Sequence, residues 1–518
     1  MSFYFLLPLL GPLLLLATAA YAARQPSDAD AGRIAQLAEA ASFTTLLLAV
    51  ASATLLYVFG NGTSVLIGLF GIGLSVRLDA VSATMLLLVG LIGWVVMRYS
   101  RTYMDGEPRQ TFFVTWMSAT LAAVLLLVIA GNLVQLALAW LATSLALNKL
   151  LLFYPERTTA RRAARKKASV ARGSEGALFL AFLLLAVGYG TTDIATLLSV
   201  VTPDGFTITA AALLAIAAIL ASAQFPTHGW LTEVMEAPTP VSALLHAGVI
   251  NAGGFLLIRF ADVMLAAPGV MALLVMLGGF TALFGGLVML TQPAVKTSLA
   301  WSTIAQMGFM VLQCGLALFP LALLHIVAHS LYKAHAFLSA GEAVRNVAQI
   351  RRPGPVAVPS ARNVLHAFGA AILIYGLIGV LFGFDGKSVQ AITLGVILIF
   401  GVAYLLAQGF ADAAPAALTR RTVIYAGANS VSYFLLQKAA KALTEGTLPA
   451  TPAPGPLEWA LILLALFSFG VVAVAQATFP LWASHPTALG IRVHLSNGLY
   501  ANALFDRLLG GWSKRSSI

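Results

Sequence analysis

The sequence predicts an all-α polytopic membrane protein, on three observations. Of its 518 residues, 60% are hydrophobic and 9% charged, and the mean hydropathy is +0.91. A soluble domain averages about 25% charged residues, so too few polar groups exist here to cover a water-facing surface. Apolar runs of roughly 20 residues, the length that crosses a bilayer core, follow one another along the whole chain. The runs do not alternate in polarity as transmembrane strands would.

Fifteen spans are predicted, near residues 3–23, 39–59, 79–100, 111–130, 132–153, 174–192, 207–225, 238–260, 268–289, 298–318, 320–344, 362–384, 388–410, 422–442 and 457–478. The first run, Ser2 to Ala23, has no basic segment ahead of it and reads as a retained helix, not a cleaved signal. Orientation follows from charge. "RTTARRAARKKASVAR", 157–172, reads as a loop with seven Lys or Arg. Three more lie in 345–354, two in 419–422 and two in the tail "SKRSSI". Fifteen spans with the N-terminus outside place all four groups inside, as the positive-inside rule requires. The net charge of +11 therefore marks cytoplasmic loops and not a nucleic-acid surface.

Three smaller features complete the pass. "IRVHLSNGLYANALFDRLLGGW", 491–512, is too polar to span. Its Leu499, Leu504, Phe505 and Leu508 recur at helical spacing, which predicts an amphipathic helix at the inner interface. "GLFGIG", 68–73, has no following βαβ unit and reads as small residues that let helices approach. The single cysteine, Cys314, allows no internal disulfide, zinc or iron–sulfur site and reads as a small buried hydrophobe.

Ionisable residues at bilayer depth are expensive and mark pathways or proton relays. In "HIVAHSLYKAHAF", spacings of four put His325, His329 and Lys333 on one helix face, while His335 points elsewhere. Such a row can pass protons through intervening water; the other reading is static polar glue between helices. Two His at helical spacing with no carboxylate nearby do not make a metal site. In "FPTHGWLTEVMEAPTPVSALLHAG", the prolines 226, 238 and 240 break the helix near 223–226 and start another near 239–241. Broken helices in membranes line cavities, where freed backbone groups can be satisfied. Glu233 and Glu236, three apart, either share a face and one proton, or lie in a wetted inner loop paired with basic residues. His246 follows on the second helix, on the side of Thr239 and Ile250, and Lys296 precedes "TSLAWSTIAQMGFM".

"APTPVSALLHAGVINAGGFLLIR", "KTSLAWSTIAQMGFM" and "HIVAHSLYKAHAFLSAG", with "LDAVSATMLLLVGLIGWVVMRYSRTYM" and "GNLVQLALAW", resemble the antiporter-like membrane subunits of respiratory complex I and Mrp-type cation/proton antiporters. The resemblance covers roughly 75–345. It implies two inverted five-helix repeats, each with a broken helix, and half-channels lined by Lys, Glu and His. The boundaries it implies are 1–110 for N-terminal helices, 111–260 and 261–415 for the repeats, and 416–518 for C-terminal helices and tail. Two departures stand out. The family's Glu after the fifth-helix Trp is Leu141 here, and its Lys before "SAQ" is Ala221. Lys296, His325, His329 and Lys333 match the second half, and Lys387 in "FGFDGKS" is a loose match to its broken-helix lysine.

"THGWLTEVMEAPTP" looks most like the DabB-type membrane subunits of inorganic carbon accumulation complexes. That resemblance implies a bacterial inner-membrane subunit without a catalytic site or cofactor of its own. It implies a large soluble DabA-like partner, similar to carbonic anhydrase, which holds the zinc and hydrates CO2 to bicarbonate. The expected ion-pathway residues are Glu233, Glu236, His246, Lys296, His325, His329, Lys333 and Lys387. The absence of a carboxylate-rich ligand set favours protons over sodium. The alternatives are a proton-pumping subunit of an NADH-quinone oxidoreductase-like complex, an Mrp-type antiporter, or a membrane anchor with a dead channel.

Overall fold

The computed structural model describes residues 3–25, 30–69, 72–342, 360–383, 386–410 and 415–508. The basic group at 345–354 and the tail from 513 lie outside them.

A 3-10 segment, Phe3–Leu9, leads into α1 (Leu10–Ala23), followed by α2 (Ala31–Phe59). Four short strands come next: β1 (Gly62–Thr63), β2 (Ile67–Leu69), β3 (Ile72–Leu74) and β4 (Arg77–Leu78). β1 pairs with β4 and β2 with β3, both antiparallel. The "GLFGIG" stretch is thus a hairpin in its described part and not a helix contact, with Gly68 opposite Gly73. A Cβ at Gly73 would collide with the Ile67 carbonyl, so the glycine serves strand pairing.

The first helical block is α3 (Ala80–Tyr103), α4 (Gln110–Val128), α5 (Leu133–Leu151), α6 (Thr158–Tyr189), α7 (Ile194–Val200) and α8 (Gly205–Ala221). The basic stretch 157–172, predicted as a loop, is helical and forms the first turns of α6. Alanines and long straight side chains fill it, and these favour helix. Charge alone did not mark it as a loop.

After α8 the chain breaks, as the prolines predict. Short α9 (Gly229–Glu233) leads to α10 (Thr239–Ala247), a 3-10 turn Val249–Asn251, then α11 (Ala252–Arg259) and α12 (Ala261–Leu265). The second block is α13 (Pro268–Met289), α14 (Val295–Gly315), α15 (Phe319–Leu338), α16 (Ala361–Phe382), α17 (Val389–Gly409), α18 (Ala416–Thr444) and α19 (Pro456–Ala477). Small residues bring α13 and α14 together: a Cβ at Gly278 would meet the Gly308 carbonyl at 2.7 Å.

The C-terminal segment is α20 (Phe479–Trp482), α21 (Pro486–Ser496) and α22 (Ala501–Leu508). The single amphipathic helix predicted over 491–512 is therefore two helices. They are separated at Gly498–Tyr500, where Leu499 and Tyr500 have positive φ.

In the described residues, each of the fifteen predicted ranges overlaps a helix. Among the described residues, eleven helices are long and apolar enough to cross a membrane. Gly205–Ala221 and Val389–Tyr404 are apolar but shorter. Val295–Gly315 and Ala416–Thr444 are outside that set. The core is one large apolar cluster running from α1 to α15, with two satellites involving α16 to α19.

The two ends of the bundle differ. One carries the strands, the α4–α5 turn and the α6–α7 turn, tied by bridges Val76–Ala130 and Asn132–Asp193. The other carries the basic start of α6 and the C-terminal helices, joined by Lys166 to Asp506 and by Gln292 to the Ser496 carbonyl.

Candidate ion pathway

The α8 break, α10, α14 and α15 meet around a buried polar row. The His246 ring is fully buried and stacks on Phe337 at 4.4 Å. Thr303 donates to the Leu299 carbonyl, so its hydroxyl oxygen accepts from His246 Nδ1 at 3.0 Å. His329 Nε2 donates to the His246 carbonyl at 3.1 Å. Lys333, with no exposed surface, donates to the Leu299 carbonyl at 3.0 Å. His246 and Lys333 thus meet at one carbonyl, through Thr303. His325 stacks on His329 with centroids 6.0 Å apart.

Several polar atoms here have no hydrogen-bond partner among the described residues: His246 Nε2, His329 Nδ1, His325 Nε2, Asn251 Oδ1, Ser242 Oγ and Gln224 Oε1. Buried polar groups are nearly always paired with protein or water. These unpartnered polar atoms cluster around the broken helix.

The remaining predicted residues lie elsewhere. Glu233 pairs with Lys166 at 2.8 Å, and Asn502 donates to it at 2.9 Å. Glu236 pairs with Arg157 at 3.4 Å, both partly exposed. The two carboxylates are thus held by different cations of α6 and its start. Lys296 is half-buried at the start of α14, one turn before Leu299. Lys387 lies between α16 and α17, donates to Gln437 and sits 3.7 Å over the Phe434 ring. Burial there pulls its ammonium down to about 8. Among the described residues, no hydrogen bond or ion pair joins it to the His246 row. His335 is exposed and lines a surface groove with Tyr99 and Leu331.

Several buried charges, Asp79, Arg259, Glu175, Lys166 and Lys167 among them, were missed from sequence. Asp79 caps α3 through Ser82 and receives Arg77 Nε at 2.8 Å and Arg259 Nη1 at 2.5 Å. Burial works to raise its carboxyl, but Arg259 and Arg77 together outweigh that and hold it at about 2. The signal was Arg259 itself, a lone cation in an apolar run. Lys166 and Lys167 are both buried and were hidden by the loop reading of 157–172. Among the described residues, no three His, Cys, Asp or Glu side chains group to hold a metal.

Comparison with known proteins identifies the family. The family model described as NADH:quinone oxidoreductase/Mrp antiporter, TM, matches residues 130–353. The model for the complex I chain 5 N-terminus matches 65–114. A probable inorganic carbon transporter subunit, DabB2 of Halothiobacillus neapolitanus, is 37% identical over 90% of this chain and 86% of its own.

The chain belongs to the antiporter-like membrane subunit family. Within it, DabB of Hydrogenovibrio crunogenus is 44% identical over 58% of this chain and 60% of its own. NADH-ubiquinone oxidoreductase chain 5 of Chondrus crispus is 34% identical over 55% and 46%. The antiporter-like fold is shared with a chain of the Mrp complex from Dietzia, at TM-score 0.63 and 23% identity, covering 98% of this chain and 60% of that one. This antiporter-like subunit therefore spans under two thirds of the length of several relatives.

Proposed function

We propose that the chain is the cation-translocating membrane subunit of an inorganic carbon transporter, moving protons to energise a soluble partner. The observation that carries this reading is the 37% identity to a probable inorganic carbon transporter subunit along 90% of the chain. The buried row of Lys333, His329 and His246, with its bare ring nitrogens, supports proton passage. The partner is DabA-like, resembles carbonic anhydrase, holds the zinc and makes bicarbonate from CO2. The membrane is the bacterial inner membrane. Ten of the fifteen predicted spans form two inverted five-helix repeats, within 111–260 and 261–415, with the N-terminus outside and the basic end inside.

The test is growth. The chain and its partner are expressed together in bacteria lacking carbonic anhydrase. Growth in air is expected, and an uncoupler should stop it. No growth, or growth that survives the uncoupler, overturns the reading. The likeness to chain 5 of NADH-ubiquinone oxidoreductase supports a second reading, a pumping subunit of a redox complex. Co-purification with quinone-reductase or Mrp subunits would select it.

A further inference from the structure

Lys166 and Lys167 are adjacent and both buried, yet their surroundings differ. Lys166 binds Glu233 at 2.8 Å and Asp506 at 2.6 Å. Lys167 forms no ion pair among the described residues. Its Nζ donates to Ser144 Oγ at 2.9 Å and to the Ser144 carbonyl at 3.0 Å. An unpaired ammonium in an apolar bundle is costly, and such residues mark ion pathways.

Lys167 also borders a cavity of about 60 Å³, whose walls include Trp140, Ser144, Ala221, Trp230 and Ile250. That volume accepts a small cluster of waters. Trp230, one of the cavity walls, has an indole Nε1 with no hydrogen-bond partner among the described residues. A serine hydroxyl both donates and accepts. It can receive from the ammonium and give to the neutral amine, where a carboxylate would lock the charged form.

The far wall matters as much. Ile250 belongs to the turn Val249–Asn251. In the same turn, Asn251 Nδ2 donates to Ser330 Oγ, next to His329 on α15. One short turn therefore separates the Lys167 cavity from the His246–His329–Lys333 row. The charges near Lys167 are Lys166, Arg172 and Glu175 on α6, with Glu233 on α9 held by Lys166. Lys149 on α5 lies over Trp116, away from the cavity, Glu236 pairs with Arg157, and α8 and α7 contribute no charge.

We propose that Lys167 is the proton-exchanging group of the first half of the molecule, held by Ser144 and trading its proton with water in the cavity beside the Val249–Asn251 turn. The ammonium gives one proton to a cavity water and becomes the neutral amine. It regains one from a water on its other approach. This rests on the proton-translocating reading above, and Ser144 acts as a positioning residue.

The experiment uses the full chain with its co-purified partner in liposomes holding a pH-sensitive dye. A potassium diffusion potential set by valinomycin drives proton flux. Lys167→Met should lower flux on the order of a hundredfold, the scale of losing a positioned acid–base group. Ser144→Ala removes an acceptor of the ammonium, so the pH of half-maximal flux should move toward acid. Full flux in Lys167→Met, or an unmoved pH profile in Ser144→Ala, overturns the proposal. If Lys167→Met does not assemble, the Ser144→Ala profile decides. Lys333→Ala in the same liposomes separates the two readings. If it loses flux while Lys167→Met keeps it, only this proposal falls. If the parent conducts no protons, both fall.

Discussion

At the scale of single residues, the row on α15 was legible because helical spacing is local. His325, His329 and Lys333 are four apart, and any α-helix stacks them. Their partners were not legible, since the Leu299 and His246 carbonyls come from other helices. Lys333→Ala and His329→Ala are expected to abolish proton flux in liposomes while the chain still accumulates in membranes. Loss of accumulation would favour the glue reading instead. Asp79 makes a separate prediction. Asp79→Asn leaves Arg259 buried without its anion, which should lower stability by about 3–5 kcal/mol in detergent unfolding. The sign with pH follows from its depressed carboxyl. The folded value, about 2, lies below the ordinary 3.8. The Asp79 contribution is therefore fully present above about pH 4 and is lost as pH falls through about 2. Thermal melts at pH 5 and 8 should show the same gap between parent and variant.

Elements carry the next set of differences. The prolines placed the break after α8 because a missing donor and a fixed φ act on the chain locally. The helical start of α6 was misread because a run of cations looks like a cytoplasmic loop whether it is coiled or helical. Its alanines were the signal to the contrary. In the C-terminal segment, the spacing of Leu499, Leu504, Phe505 and Leu508 predicts an amphipathic helix at the inner interface. The structure adds a polar face, Asn502 and Asp506, turned onto Lys166 and Glu233. Gly229 permits that docking, since a Cβ there would collide with Asn502. Gly229→Val should destabilise the docked segment by about 1–3 kcal/mol, the usual cost of overpacking. Limited proteolysis near 497–508 should then run faster than in the parent, and equal rates would refute the docking role.

For the whole molecule, the difference between the two ends yields a test of sidedness. Cys314 is fully buried and is the single native cysteine, so the labelling background is clean. Arg161 is exposed at the basic end and Ser199 at the strand end. Arg161→Cys should react with an impermeant maleimide in inverted vesicles and not in spheroplasts, and Ser199→Cys should do the reverse. The opposite pattern would invert the proposed topology.

Composition, run length and proline position determined the class, the order of helices and the break, because each acts through the local chain and its solvent. The quoted motifs carried the family in the same way. Which cation meets which anion was decided by tertiary packing alone. Lys166 and Lys167 are the same residue type, side by side in one basic run. On a helix they point about 100° apart. One therefore meets Glu233 and Asp506, and the other meets a serine and a cavity.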